Sequence, residues 1–449
     1  MNVHIRSALE ATVATEAPKA SWLRRRLGAL KWSGKGLLAI LDQGLISGSN
    51  YLMAILLARH LTAQQYGSYA LAFELFLFMA VAYGALVLEP FSVFGPSVYL
   101  RSLTGYLGSL LRLHLASGAI VAAVVGTAAW IAYAVAPGTG LAPALLGAAI
   151  AGPCVLVFWL ARRAFYVKFS PHLAVWGAVV YSAALLGGLV VVYRLGHLSP
   201  LTAFLLMAAG AVATTPAMLA RLKPDVVSKS GGPDVSEVAR KHWGYGRWAL
   251  ASSVMVYLSS AIFYPLLASF QGLADAGSMK ALMNFSSPIG QVFAALSLLA
   301  LPYSARVHHQ DGSEGTRRLV WKLTILYGGG TFLYWVVIIA LREPLVHYLY
   351  GGKYSALTAL LPWVALGSVF RISATSFAVT LRAMKAPETV FIAYSVSSVA
   401  AVLFGAPLTW LLGLEGAVFA FVLSGAVSCI VALMLVHRRY PLVRSLEAA

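Results

Sequence analysis

Long apolar stretches, separated by short polar or turn-forming segments, recur along almost the whole chain. Twelve of them reach the roughly 20 residues that a helix needs to cross the hydrocarbon core of a bilayer. The pattern predicts an all-α integral membrane protein with about twelve transmembrane helices (spans 1–12) and no extramembrane domain. The stretches are centred near Ser47, Leu77, Val125, Ala151, Ala184, Gly210, Tyr257, Val292, Tyr334, Val369, Ala400 and Ser424.

Composition agrees with this interpretation. Of the 449 residues, 60% are hydrophobic and only 11% are charged, which is too little polar surface for a soluble domain of this size. The two cysteines, Cys154 and Cys429, both lie in apolar runs and are predicted to be packing residues. The first apolar run, from Leu37, shows no cleavage pattern, so we interpret it as a retained span.

The distribution of basic residues predicts the orientation. The formal net charge is +18, which on a soluble protein would suggest nucleic-acid binding. With the N-terminus in the cytoplasm, however, nearly all Lys and Arg residues fall in the N-terminal segment, the alternate loops and the C-terminal tail, as the positive-inside rule requires. Both termini are therefore predicted to be cytoplasmic, and no nucleic-acid partner is expected. The six exceptions are Arg59, Arg194, Lys280, Arg342 and Lys353, assigned to outer loops, and Arg371, assigned to span 10.

An internal repeat divides the spans into two halves. Leu56-Leu-Ala58 is followed nine positions later by Gly67-Ser68, and 210 residues further on Leu266-Leu-Ala268 is followed in the same way by Gly277-Ser278. Because six spans separate the copies, both halves cross the membrane in the same direction, which predicts two parallel six-helix lobes.

Charge and hydropathy together give the predicted boundaries. The tail segment 22–32 has the composition of a basic helix that lies on the inner leaflet. The parts are a cytoplasmic tail with this interfacial helix (1–35), the N-lobe with spans 1–6 (36–220), a basic cytoplasmic connector (221–247), the C-lobe with spans 7–12 (248–437) and a second cytoplasmic tail (438–449).

Several segments resemble one transporter family. Asn50-Tyr-Leu-Met-Ala-Ile-Leu-Leu-Ala-Arg-His-Leu61 followed by Tyr66-Gly-Ser-Tyr-Ala-Leu71 is similar to the passage from span 1 to span 2 in polysaccharide flippases of the multidrug/oligosaccharidyl-lipid/polysaccharide exporter superfamily. Ala276-Gly277, Leu301-Pro302 and Tyr348-Leu-Tyr-Gly-Gly-Lys-Tyr354 also resemble that family at the corresponding places. One departure is that Ser260-Ala-Ile-Phe-Tyr-Pro265 stands where many relatives carry an acidic-basic pair, so a coupling role of that pair is not carried over.

The resemblance implies a transporter, not an enzyme, in the bacterial inner membrane. Its substrate would be an undecaprenyl-diphosphate-linked oligosaccharide, moved by alternating access of two lobes for surface or exopolysaccharide biosynthesis. The implied partners are this anionic lipid-linked substrate, membrane lipids, a polysaccharide polymerase and glycosyltransferases. No cofactor or metal site is indicated, because the neighbouring histidines His308 and His309 are adjacent and point apart.

Three charged residues are predicted inside the spans: Asp42, Glu74 and Arg371. Each costs roughly 2.5–3.5 kcal/mol at mid-helix, so each should face protein or water rather than lipid. Glu74 is interpreted as a proton or cation site, or as a carboxylate bonded to a neighbouring helix. Asp42 lies near the helix start, where the dipole also favours an anion. Arg371 could hold the diphosphate or neutralise a carboxylate.

Two outer-side cations complete the candidate pathway residues. Arg59 and Lys353 lie in the family-like segments, and each is interpreted either as a pathway residue or as an interfacial anchor. Arg162, Arg163 and Lys168 are explained better by topology than by head-group binding. The Gly44-x-x-x-Gly48 spacing permits close approach of another helix to span 1.

Three rival functions remain. A cation-coupled drug exporter of the same superfamily is favoured by the acids Asp42 and Glu74, and opposed by Arg371. A peptidoglycan-precursor flippase would share the chemistry but should have fourteen spans. A membrane-embedded polysaccharide polymerase or ligase would need a large outer catalytic loop, whereas the longest outer segment is only about 342–354.

Overall fold

The computed structural model describes residues 19–227, 232–384 and 387–439. Within these ranges every regular element is helical and no strand is present, so the predicted all-α fold class is confirmed. The helix of span 1 already begins at Lys19 and includes the predicted interfacial segment, whose side chains lie outside the described part. Most of the remaining tail residues, 1–18 and 440–449, also lie outside it.

Spans 1–6 follow the predicted order. Span 2 is a single 35-residue segment, because a π-helical turn at Gly84–Leu88 joins two of the helices. Thr62 and Ser199 begin the helices of spans 2 and 6 with capping boxes, which satisfy amide groups that the first helical turn leaves free. The helices are Lys19–His60, Ala63–Tyr83, Glu89–Ser97, Leu103–Val135, Leu141–Val167, Pro171–Arg194 and Pro200–Leu222.

The second half is less regular. Span 7 consists of two helices that meet at 45° near Ile262. Pro265 explains this bend, because it has no amide hydrogen to donate to the Ala261 carbonyl. The helices are Val235–Ala261, Phe263–Phe270, Leu273–Asn284, Ser287–Thr324, Gly330–Ala340, Arg342–Tyr350, Leu361–Ala383 and Pro387–Arg439.

Two of these helices contain reversals of the chain. Gly312 and Gly413 have positive φ angles of 62° and 59°, a region that favours glycine. In a straight helix, residues eight apart are separated by about 12 Å, and residues 27 apart by about 40 Å. Across Gly312, however, the His308 Nδ1 atom lies 3.0 Å from the Thr316 hydroxyl. Across Gly413, the Ser397 hydroxyl donates to the Ser424 carbonyl at 3.0 Å. Each long helix is therefore a pair of antiparallel helices.

These breaks account for the difference between the observed and predicted span counts. Nine segments of the described chain are long and apolar enough to cross a membrane, or ten with the bent pair of span 7. One of them, Glu388–Arg438, holds spans 11 and 12 on either side of its reversal. Span 8 is divided between Leu273–Asn284 and the start of Ser287–Thr324. The number twelve and the orientation stay predictions, and "outer" and "inner" below follow that orientation.

The two copies of the sequence repeat meet each other at the outer side. A Cβ atom on Gly67 would lie 1.6 Å from the Leu273 carbonyl oxygen, and one on Gly277 would lie 2.6 Å from the Ala63 carbonyl oxygen. Both pairs relate residues through the same 210-residue offset. Reciprocal contacts of this kind arise where a two-fold axis passes through an interface. Spans 2 and 8 thus cross at a pseudo-two-fold axis between these glycines.

The buried cores divide at the inner side. The main hydrophobic core includes residues of both lobes, such as Leu57, Tyr66 and Tyr350. Two smaller cores contain only C-lobe residues, represented by Phe377 in one and Tyr327 in the other. The lobes therefore share a core around the outer crossing, whereas the inner part of the C-lobe packs mainly on itself.

The described residues of the predicted connector 221–247 pack against the N-lobe. They lie along the start of span 3, where the Ser109 hydroxyl donates to the Pro233 carbonyl at 2.6 Å. The helix that begins at Val235 continues this contact, with the His242 ring 2.6 Å from the Tyr106 hydroxyl. The inner part of span 7 is therefore attached to the N-lobe.

The small residues of span 1 and the two cysteines differ in how they pack. No described atom outside the helix lies within 4 Å of a Cβ atom built on Gly44 or Gly48, so these glycines do not form a close helix crossing. Span 5 packs instead against the neighbouring residues of span 1, where the Ser182 hydroxyl donates to the Leu45 carbonyl at 3.1 Å. Small residues permit a close crossing but do not require one, and the close crossing occurs instead at Gly67 and Gly277. Cys154 and Cys429 are free, and their side chains pack against the hydrophobic cores as expected.

We expect Gly67→Val to destabilise the protein by roughly 1–3 kcal/mol or more, because the side chain must push spans 2 and 8 apart. Gly48→Val is the matched control, since the same change there meets open space. Thermal unfolding of the two purified variants in detergent tests this expectation. Equal stability of both variants would contradict the close crossing.

Candidate functional site

A buried ion pair joins the two lobes near the crossing of spans 2 and 8. The Lys280 ammonium lies 2.8 Å from a Glu74 carboxylate oxygen, and the two side chains are only 11% and 10% exposed. The Tyr257 hydroxyl of span 7 donates to the other carboxylate oxygen at 3.2 Å and also to the Glu74 backbone carbonyl. The ammonium also lies 4.8 Å from the centre of the Phe73 ring. Both charges are thus neutralised and largely shielded from solvent.

The assignment of Lys280 to an outer loop is wrong. The helix Leu273–Asn284 begins seven residues earlier, so Lys280 lies two turns inside it and is buried. Hydropathy averaging could not place a lysine in so short a helix. The only indication in the sequence that Lys280 is not a loop residue was its departure from the positive-inside pattern.

The pair is asymmetric about the axis. Through the repeat, Glu74 corresponds to Asn284, and Lys280 corresponds to Ala70. On the other side of the axis the Asn284 amide donates to the Tyr66 hydroxyl at 2.9 Å. One side of the interface therefore holds a charge pair, and the other holds neutral polar groups.

Asp42 forms a second buried ion pair, within the N-lobe. The Arg162 guanidinium donates to both of its carboxylate oxygens, at 3.1 and 2.6 Å, and the Tyr166 hydroxyl donates at 2.7 Å. This planar, two-bond geometry is the strongest form of such a pair. Asp42 is thus neutralised by span 4, and topology alone does not explain Arg162. The neighbouring Arg163 is exposed.

Arg371 lies in the C-lobe among hydroxyl and carbonyl groups. Its guanidinium donates to the Ser259 carbonyl, and at 3.3 Å to the hydroxyls of Ser259 and Ser424. The Phe421 ring centre is 4.8 Å away, and the buried Nε atom has no hydrogen-bond partner in the described part of the chain. Of the ion pairs that the described residues form, none includes Arg371. No carboxylate of a described residue therefore neutralises its positive charge.

Arg59 and Lys353 connect the lobes at the outer surface. The Arg59 guanidinium donates to the Tyr348 carbonyl, and the Lys353 ammonium donates to the Leu61 carbonyl, both at 2.6 Å. Burial lowers the pKa of the Lys353 ammonium from its ordinary value. The structure thus brings Arg59 and Lys353 together, but neither lies near Asp42 in span 1 or Arg371 in span 10.

No set of three His, Cys, Asp or Glu side chains is placed to hold a metal ion within the described ranges. The sequence interpretation missed Lys280, Arg162, Tyr166 and Tyr257 as partners of the intramembrane acids. Only the basic residues gave a signal, because tyrosines are common in apolar helices and carry no charge pattern.

The fold is shared with solved transporter structures. A multidrug-resistance MATE family transporter of the MOP superfamily in an inward-facing conformation aligns with a TM-score of 0.75 at 13% identity, over 88% of this chain and 94% of that chain. A similar transporter in an outward-facing conformation gives 0.59 at 17% identity, over 90% and 94%. The lipid II flippase MurJ in an inward closed conformation gives 0.63 at 13% identity, over 92% and 88%. No protein-family model and no curated protein matches the chain. At these identities the likeness establishes the fold.

We expect Glu74→Gln and Lys280→Met each to destabilise the protein by about 3–5 kcal/mol, because each leaves the other charge buried without its partner. The double variant should recover most of that loss. Equilibrium unfolding in mixed micelles gives the double-mutant cycle.

The exposed pair Glu314 and Arg318 provides a matched control. Removal of Glu314 should cost at most about 1 kcal/mol, since exposed pairs contribute little. Additive losses in the Glu74 and Lys280 cycle would contradict the proposed coupling of the two lobes.

Proposed function

We propose that this protein is an alternating-access transporter that moves an undecaprenyl-diphosphate-linked oligosaccharide across the bacterial inner membrane. The proposal rests on the fold, which is shared with MATE transporters and with a lipid II flippase. It also rests on the family-like segments around Arg59 and Lys353. Export of this substrate would serve the synthesis of surface or exopolysaccharide. A polysaccharide polymerase and glycosyltransferases are the proposed functional partners.

The arrangement of the lobes supports an inward-facing state. Spans 2 and 8 are in contact at the outer side, and the C-lobe has separate cores at the inner side. The higher TM-score with the inward-facing MATE structure agrees with this assignment. In this state the transporter would receive its substrate from the cytoplasmic leaflet.

The net charge of the side chains inside the spans is the main observation that favours an anionic substrate. Asp42 and Glu74 were the residues that favoured a cationic substrate, and each is neutralised by a basic side chain. Arg371 has no carboxylate partner within the described ranges. The described interior of the spans therefore has a net positive charge, which suits an anionic substrate.

A lipid diphosphate fits this charge distribution. Its head group needs a polar path with cations, while its long tail can remain in the lipid beside the lobes. The exposed Arg163, next to the Asp42 and Arg162 pair, would make a first contact near the inner side. Arg371, whose Nε atom has no partner among the described residues, would make a later contact inside the C-lobe.

A cation-coupled drug exporter is the second candidate. It is favoured by the 0.75 TM-score with a structure described as a multidrug-resistance transporter, against 0.63 for the flippase. The paired state of both acids is the observation against it. A polymerase or ligase is a distant third, because the outer segment before span 10 is only the short helix Arg342–Tyr350 and a turn.

Deletion of the gene is expected to trap lipid-linked repeat units on the cytoplasmic leaflet and to abolish surface polysaccharide. Mass spectrometry of extracted lipids measures the accumulation of the trapped repeat units, and a surface-glycan stain measures the loss of surface polysaccharide. A strain that keeps its polysaccharide and gains only sensitivity to cationic drugs would favour the exporter instead.

The same strain tests Arg371 by complementation. Arg371→Gln should reduce the recovery of surface polysaccharide at least about tenfold, the effect of losing one charge-assisted contact to the diphosphate. Arg382→Gln, at the exposed inner end of span 10, is the control and should complement fully. Equal complementation by both, at equal membrane abundance, would remove Arg371 from the pathway.

A further inference from the structure

The outer contact between the lobes is reciprocal. Arg59 lies in the last turn of the span 1 helix, which ends at His60, and donates to a carbonyl of the short helix Arg342–Tyr350 of the C-lobe. Lys353 follows that short helix and donates to the Leu61 carbonyl, directly after the end of span 1. Each of the two helices thus has, at or just after its C-terminus, a basic side chain that binds a carbonyl at the C-terminus of the other.

The chemistry of helix ends explains why cations are used here. The last four carbonyls of a helix have no partner within the helix, and the macrodipole places partial negative charge on them. Tyr348 is among the last four residues of its helix, and Leu61 follows the last residue of span 1. A Lys or Arg side chain supplies both the missing donor and the favourable charge. Two such bonds, both 2.6 Å long, therefore hold the two helix ends together. Because each bond joins one lobe to the other, both are lost when the lobes separate.

The sequence context agrees with a specific role for these cations. Both break the positive-inside pattern, which selects against basic residues on the outer side. Gly351 has a φ of 63°, ends the short helix, and lies beside Arg59, since a Cβ atom on it would be 3.9 Å from that side chain. Glycine therefore permits the chain direction before Lys353, at a position directly beside Arg59.

We propose that Arg59 and Lys353 form an outer latch that stabilises the inward-facing state and opens when the lobes separate at the outer side. The latch contains no carboxylate, so water can replace both bonds when it opens. It biases the balance between the two states without a strong barrier to release. The inference rests on the proposed alternating access, but not on the identity of the substrate.

A single-cysteine reporter tests the latch in the full-length protein. Ala70→Cys, in a background with Cys154→Ala and Cys429→Ala, places a thiol on the face of span 2 that meets span 8, at a fully buried position. A membrane-impermeant maleimide added from outside reaches this thiol only when the outer side opens. The rate of labelling therefore reports the outward-facing population.

Arg59→Met with Lys353→Met should raise the labelling rate about tenfold or more, because two charge-assisted bonds are lost from the closed state only. Arg59→Lys, which keeps a charged donor, should raise it less. Arg194→Met is the control, since Arg194 is an outer-side cation for which no bond to a described residue of the C-lobe is seen. An unchanged rate in the double variant, or an equal rise in the control, would overturn the latch.

Two further measurements keep the outcome interpretable. Labelling after denaturation gives the total thiol, and size-exclusion chromatography checks that each variant is folded. Where the double variant does not accumulate, each single variant should raise the rate about threefold. No substrate is added in this experiment, so a negative result would contradict the latch and not the proposed substrate. The proposed substrate is tested separately by the lipid analysis of the deletion strain.

Discussion

The direct backbone contact between spans 2 and 8 at Gly67 and Gly277 is the constraint on which the rest of the structure depends. Any side chain at either position would collide with the carbonyl oxygen of the opposite lobe. This contact lies where the two copies of the repeat meet. It closes the outer side, and one to two turns further along the helices it brings Glu74 within 2.8 Å of Lys280. The ion pair depends on this close approach of spans 2 and 8, and the outer latch lies on the same closed side.

The two lobes differ in the groups that surround the arginine inside each of them. In the N-lobe an arginine of span 4, Arg162, is paired with Asp42. In the C-lobe Arg371 lies 209 residues later, one residue from the position that the repeat would give to Arg162. The described residues that it contacts supply hydroxyls, a carbonyl and an aromatic ring. A related framework thus holds a neutral pair on one side and a free charge on the other. This difference supports an anionic substrate.

Much of the fold could be predicted from the sequence, because hydropathy, charge bias and the repeat report average properties of whole helices. The sequence pairs Gly67 with Gly277, although it does not indicate that they touch. Contacts that depend on one side chain were not predictable. Lys280 was placed in a loop because a short helix with a lysine resembles a polar segment. Gly44 and Gly48 show that small residues permit close packing but do not specify its place.

In the proposed transport cycle the two lobes rock about the crossing of spans 2 and 8, so that one side opens as the other closes. Spin labels on His197 and Leu411 report the outer separation, and labels on His172 and Gln310 report the inner one; all four residues are exposed. Double electron–electron resonance in lipid nanodiscs, with and without a lipid-linked oligosaccharide, measures both distances. We expect the substrate to populate a longer outer distance together with a shorter inner distance. Two distances that lengthen together, or that stay fixed in a preparation that moves the substrate, would contradict it.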